Sequence, residues 1–342
     1  MENPFTLLFG KQPLSLIDRP LQTSNIVDRF QANKINHQVY LITGVRGYGK
    51  TCLMTSASKE LKKDTRWIHV ELNPNVDLLD SLLNKLNSNK SCLEVLKNAK
   101  INLNFFGFSI GIQNSVEIKD REIALTQILK QMKSHNKRLL ITIDEVTNTP
   151  QMRAFASTFQ ILIREDLPVF LLMTGLYDNI DALQNEKNLT FLHRAPKIYL
   201  TPLNLSAISS EYKKIFKCSD DDADQMAQLT KGYPFAYQVL GYLTFENGGN
   251  YKEILDKYEQ YLEEFVYDKI WSELSNKDRI VTKGIAKSKD GKTKNIRQIL
   301  DMSQNEFNPY RKRLLKKGII MADTRGSVKF TLPLFDKYSL RN

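Results

Sequence analysis

Cysteine and histidine are scarce, at three and four of 342 residues. Cys52, Cys92 and Cys218 are too few and too widely spaced for a disulfide framework, so reduced, structural thiols are expected. The scattered histidines offer no metal-ligand spacing, which argues against a histidine-built metal centre. No run of about 18 apolar residues occurs, so no helix of this chain is expected to cross a membrane. The opening Met1-Glu2-Asn3-Pro4-Phe5 lacks the basic region and apolar stretch of a secretory leader, and a cytoplasmic protein without a membrane partner is expected. Internal repeats and low-complexity tracts are absent. What remains is an ordinary globular composition, 42% hydrophobic and 25% charged, in a chain long enough for two or three domains.

Acidic residues run short only at the C-terminal end. The net charge is +11, and residues 265–342 carry 18 Lys and Arg against 8 Asp and Glu, which leaves the rest of the chain nearly neutral. A basic tail behind a neutral front points to a polyanion as the tail's partner.

Gly44-Val45-Arg46-Gly47-Tyr48-Gly49-Lys50-Thr51 reads as glycine, four residues, then Gly-Lys-Thr, directly after the apolar run Val39-Tyr40-Leu41-Ile42. A strand that enters a glycine-rich turn and leaves as a helix is the context of a phosphate-binding loop. Gly44, Gly47 and Gly49 would let successive backbone N–H groups close round a β-phosphate. Thr51 would open the helix, whose N-terminal dipole favours an anion. Lys50 would reach the β- and γ-phosphates as a point charge, and the Thr51 hydroxyl would ligate Mg²⁺. The loop as a whole, through Cys52, would hold ATP or ADP.

Beyond the loop, Thr51 to Leu61 reads as a helix and Arg66 to Leu72 as a strand closed by Asn73-Pro74. Leucines at helical spacing mark residues 76–98, while 101–118 reads as either a hairpin or an ordered loop. A helix from Ile123 to Met132 feeds the apolar run Arg138 to Glu145. Pro168 to Thr174 and Lys197 to Leu200 are further runs of that kind, which suit strands buried in a parallel sheet. The alternation predicts an α/β fold over residues 1–203: a P-loop parallel sheet with helices on both faces, its ligands beyond the carboxyl ends of the strands. Strand signals stop at Asn204, and 204–264 reads as a small helical domain. Residues 265–342 read as three helices and two short strands, Ile319 to Ala322 and Val328 to Thr331, joined by Thr324-Arg325-Gly326-Ser327.

Asp144 and Glu145 close a buried strand, which places both carboxylates at the sheet edge that carries the phosphate loop. Asp144 would hold Mg²⁺, directly or through water, and Glu145 would orient and polarise the attacking water. Thr174 ends the next strand; its hydroxyl bonds either the water or γ-phosphate, or its own strand end. Arg194, in Leu192-His193-Arg194-Ala195, either reaches a γ-phosphate of its own or a neighbouring subunit, or is a solvated cation. Asn73 reads first as a turn residue, with restraint of Glu145 as the alternative. Phosphoryl transfer needs positioning and charge neutralisation more than covalent chemistry, so Lys50, Mg²⁺ and Glu145 form a sufficient core.

Together these residues resemble the AAA+/STAND branch of P-loop ATPases, in particular the prokaryotic ATPases similar to origin-recognition proteins, over nearly the whole chain. Asn3-Pro4-Phe5 and Ile17-Asp18-Arg19-Pro20 resemble the segment that packs on adenine in that family, with Asp18 and Pro20 departing from its usual Gly-Arg-Glu. Gly232-Tyr233-Pro234 resembles the Gly-x-Pro of the STAND helical lid, which implies that Gly232 and Pro234 approach the nucleotide. Residues 265–342 resemble a winged helix, with Asn295 to Asp301 as the supporting helix. Its recognition helix would start either at Ser303-x-x-Glu306 or at Asn308-Pro309, and stop at Gly318. The resemblance implies that Leu314 and Leu315 face the core, and that Lys294, Arg297, Tyr310, Arg311, Lys312 and Arg325 contact double-stranded DNA.

The function implied is a slow, Mg²⁺-dependent ATPase switch that binds DNA through its winged helix. The alternative is a STAND-like signalling scaffold that oligomerises on nucleotide exchange and uses the winged helix for protein contacts. A nucleotide-binding protein without turnover is a third reading, against which Lys50, Asp144 and Glu145 argue.

Overall fold

The computed structural model describes residues 2–8, 13–96, 120–322 and 324–342; the 101–118 segment lies outside them. The chain divides into two units, one of Arg19–Thr43 and Lys50–Tyr199, the other of Met1–Asp18, Gly44–Gly49 and Leu200–Asn342. The division thus does not follow chain order: the loop after the first strand clusters with the C-terminal half.

The first unit runs α1 (Pro20–Gln31), β1 (Val39–Thr43), α2 (Lys50–Leu61), β2 (Trp67–Leu72), α3 (Leu78–Asn87), α4 (Lys90–Leu96), α5 (Arg121–Ser134), β3 (Arg138–Ile143), α6 (Pro150–Arg164), β4 (Val169–Gly175), α7 (Tyr177–Gln184), α8 (Thr190–His193) and β5 (Lys197–Tyr199). Its strands form one parallel sheet in the order β2-β3-β4-β1-β5. β4 is buried at every position and β3 at all but its first, so neither offers a polar face to water.

Alternate strand residues supply two cores. Leu41, Ile141, Ile143, Leu171 and Met173 meet Leu82 and Leu86 of α3, Leu125 and Leu129 of α5, and Phe155 and Phe159 of α6. On the opposite face, Phe30 of α1 lies 5.6 Å from the ring of Tyr40 and 5.0 Å from that of Phe170. Arg138 closes this second core: its guanidinium lies 5.7 Å from the rings of Trp67 and Phe170 and donates to the Phe30 and Ala32 carbonyls. Because β4 sits between β1 and β3, the end of β4 lies beside the ends of both.

The described residues of the second unit are mainly helical, with one hairpin. It comprises α9 (Leu205–Phe216), α10 (Asp220–Thr230), α11 (Pro234–Glu246), α12 (Leu255–Leu262), α13 (Asp268–Ser272), α14 (Asn276–Lys287), α15 (Thr293–Leu300), α16 (Gln304–Lys317), the antiparallel pair β6 (Ile320–Ala322) and β7 (Val328–Phe330), and α17 (Phe335–Arg341). Asn204, Ser219, Ser275 and Ser303 each cap a helix by accepting from the N–H three residues on. Ser303 decides the start of α16: it forms a reciprocal capping box with Glu306, and Pro309 falls inside the helix. The β6–β7 turn is tied to the approach to α15, with Thr293 N–H donating to Gly326 at 2.8 Å and Val328 N–H to Gly291 at 2.9 Å. The N-terminal segment also packs here, Phe5 being buried among Tyr212, Phe216 and Tyr237. Among the described residues, no helix is long and apolar enough to cross a membrane.

The sheet carries a histidine whose titration is strongly perturbed. His69 on β2 shares a 2.9 Å hydrogen bond with Thr142, and burial, with Lys62 and Lys85 adding to it, pushes its pKa down to about 4. The folded state keeps His69 neutral where the unfolded chain, with an ordinary value of about 6.5, takes up a proton. Stability is therefore untouched above that value and falls as pH drops from about 6.5 to 4, by up to about 3 kcal/mol. Denaturant unfolding at pH 7 and pH 5 should show this loss in the wild type and a smaller one in His69→Gln; an equal loss in both would contradict it.

Candidate phosphate-binding site

α2 begins at Lys50, one residue before the helix start read from the sequence. Lys50 is buried, and the next residue, Thr51, donates through Oγ1 to Asp144 Oδ2 at 2.7 Å. Asp144 follows β3, and its Oδ1 accepts from the hydroxyl of Thr174 at the end of β4. Thr174 is fully buried; its oxygen accepts from Glu145 N–H at 3.1 Å and its carbonyl from Val146 N–H at 2.9 Å. These bonds hold the Thr174 hydroxyl on the carboxylate turn. Glu145, exposed, takes φ +53°, a left-handed conformation that costs a non-glycine residue about 1 kcal/mol. Its N–H is shared with Asp144 Oδ1 at 3.1 Å, and with the Val146 N–H bond that follows, the strained residue is held on both sides.

Thr51 Oγ1 and Asp144 Oδ2 bring two hard oxygens to one point, the donor chemistry that Mg²⁺ takes; phosphate oxygens and waters would complete its shell. Among the described residues, no group of three or more His, Cys, Asp and Glu could hold an ion unaided. The thiol of Cys52 is pushed up by burial and then by Asp144, which keeps it neutral. Asn73 accepts from Asn75 N–H at 2.9 Å and so caps its own turn. Arg194 is exposed between α8 and β5, and among the described residues its side chain makes no hydrogen bond or ion pair.

The loop itself lies in the other unit. Gly47 and Gly49 take φ of +77° and +82°. A Cβ on Gly47 would come within 2.3 Å of the Tyr233 hydroxyl, so only glycine fits. Tyr233 is fully buried, donates to the Arg46 carbonyl at 2.7 Å, and lies 5.2 Å from the ring of buried Tyr48. Burial, reinforced by Tyr48, pushes its phenol well above the ordinary value, so the hydroxyl stays a donor. Arg46 pairs through its side chain with Glu273, the C-cap of α13, at 3.2 Å. Val45 is buried, and a Cβ on Gly318 would come within 2.9 Å of its side chain. Gly44 packs closely on Leu200, where an added Cβ would come within 3.2 Å of the leucine side chain. Gly232, at φ +75°, is pressed against Leu203, whose N–H it accepts at 2.7 Å, and Pro234 occupies the first turn of α11. Tyr233 and Glu273 lie outside the sequence candidates: one is the variable position of Gly-x-Pro, and no motif surrounds the other.

At the C-terminal end Lys294, Lys312 and Arg325 are exposed, and Arg297, Tyr310 and Arg311 are half-buried. The Arg313 guanidinium lies 5.2 Å from the Tyr310 ring and bonds the buried Asp278 at 2.9 and 2.7 Å. Arg313 thus holds α16 to α14. Leu314 is buried and Leu315 half-buried.

The strained turn makes a stability prediction separate from activity. Glu145→Gly should raise unfolding free energy by about 0.5–1 kcal/mol, because glycine takes the left-handed conformation without penalty. Urea unfolding at neutral pH reads this; a destabilised variant would show that the Glu145 side chain repays its own strain.

Residues 264–339 match the model of a domain of unknown function, DUF8462. No curated protein matches the chain in sequence. In structure it is similar to a Walker-type ATPase of Pyrococcus abyssi, with a TM-score of 0.66, 14% identity and 96% of each chain covered. It is also similar to the ORC2 protein of Aeropyrum pernix in its ADPNP–ADP complexes, with a TM-score of 0.61 and 13% identity over 97% of this chain and 94% of that one. At such identities the likeness is one of fold, and the chain has the P-loop fold of these archaeal ATPases.

Proposed function

We propose that the chain binds ATP with Mg²⁺ and hydrolyses it, as a slow switch whose C-terminal domain binds DNA. The observation that carries this reading is the hydrogen-bonded series Thr51, Asp144, Thr174 and Glu145 N–H at the head of α2, where the eight-residue loop delivers Lys50. A bound nucleotide would supply the γ-phosphoryl group, with Mg²⁺ to offset its charge. The chain's own groups do the rest. The N–H groups of residues 44–49 cradle the phosphates, and Lys50 neutralises them. Thr51 and Asp144 hold the metal, and Thr174 keeps Asp144 and the Glu145 peptide in place. Glu145 orients the attacking water, and the exposed Arg194 is available to a γ-phosphate.

Residues 1–203, 204–264 and 265–342 would act as ATPase core, helical lid and winged helix, with Gly232 and Pro234 in the lid, and the setting is cytoplasmic. DNA binding rests on the basic balance of 265–342, with Lys294 and Arg297 on α15, Tyr310, Arg311 and Lys312 on α16 and Arg325 in the β6–β7 turn. Phosphate contacts release counterions, so affinity should fall steeply with salt.

Two variants test the ATPase assignment. Lys50→Ala should weaken ATP binding by about 100-fold, whereas Glu145→Gln should keep binding and lower turnover by about 100-fold. An equal loss of binding in both would contradict the assigned roles. For DNA, Lys312→Glu with Arg325→Glu in the full chain should weaken duplex binding at every salt concentration; unchanged affinity would point to a protein partner for the tail.

A further inference from the structure

We infer that Tyr233 is a positioning residue for phosphate recognition: its hydroxyl fixes the Arg46–Gly47 peptide so that the Gly47 N–H is aimed at the phosphate. The inference rests on the nucleotide reading above and deepens it. The carbonyl of Arg46 and the N–H of Gly47 belong to one peptide group, which is trans and planar, so the two point in opposite directions. Tyr233 holds the carbonyl at 2.7 Å from a fully buried position. The N–H is thereby turned to the other side, away from the phenol, where a loop of this kind takes its anion.

Three observations converge on the same peptide. Gly47 has no Cβ because the phenol stands where it would be, at 2.3 Å. The Arg46 side chain is tied at its far end to Glu273, so one residue is restrained at both main chain and side chain. Tyr48, on the other side of Gly47, is buried with its ring 5.2 Å from that of Tyr233. A loop held this way loses little freedom when it closes on a phosphate, and restraint before binding is what raises affinity.

The test compares Tyr233→Phe with Tyr258→Phe. Tyr258 is an equally buried tyrosine of the same unit whose hydroxyl donates to the Leu229 carbonyl at 3.0 Å, away from the loop. Both variants lose one buried hydrogen bond and keep the ring, so thermal unfolding should shift alike. Tyr233→Phe should raise the KM for ATP and the Kd for ADP and for inorganic pyrophosphate about tenfold, with kcat within about twofold. Tyr258→Phe should leave all of these unchanged. Should Tyr233→Phe fold poorly, Glu273→Gln, which frees the same Arg46 from its other end, must raise the KM for ATP with kcat kept. Unchanged affinity in Tyr233→Phe, or an equal loss in Tyr258→Phe, overturns the positioning role alone. A wild-type chain that binds neither ATP nor ADP overturns the nucleotide reading and this inference with it.

Discussion

The buried hydroxyl of Thr174 is the bond on which the arrangement of the carboxylate turn depends. It donates to Asp144 and accepts from Glu145 N–H, while the same residue's carbonyl takes Val146 N–H. Thr174 reaches this turn because β4 pairs in parallel with β3, Met173 lying opposite Ile143. The cost is a left-handed Glu145, tolerated because hydrogen bonds on both sides over-determine it. Strain of this kind, at the residue proposed to face water, is expected where geometry is selected ahead of stability.

The second constraint is on the loop. The chain leaves the sheet unit after Thr43, runs from Gly44 to Gly49 within the other unit, and returns at Lys50. Those six residues are held there by Tyr233 on the Arg46 carbonyl, Glu273 on the Arg46 side chain and Gly318 against Val45. Glu273 and Gly318 both belong to the segment that matches the domain of unknown function, residues 264–339. A phosphate-binding loop held by C-terminal residues would give the proposed switch a physical basis. A ligand can shift such an equilibrium only through its differential affinity for two states.

Much of this was legible in the sequence, for local reasons. The loop is a contiguous motif, and the apolar runs Arg138 to Glu145 and Pro168 to Thr174 suit buried parallel strands, which β3 and β4 supply. Strand order was not legible, because nothing within β4 says that it inserts between β1 and β3. The bonds of Thr174 to residues 144–146 depend on the pairing of β4 with β3. Tyr233 and Glu273 reach Arg46 across 187 and 227 residues of sequence, and a tyrosine between a glycine and a proline carries no sign of such a target. The start of α16 was open because Ser303-x-x-Glu306 and Asn308-Pro309 are both start signals. The earlier start wins because it places Phe307, fully buried, inside the helix and completes a capping box.

The central claim is that this chain holds a nucleotide by its phosphates with Mg²⁺ shared between Thr51 and Asp144. Calorimetric titration of the full chain with ATP, in the presence and absence of Mg²⁺, tests it most directly. The account predicts saturable binding of a single ATP per chain that tightens when Mg²⁺ is present. No binding, or binding indifferent to Mg²⁺, would contradict it.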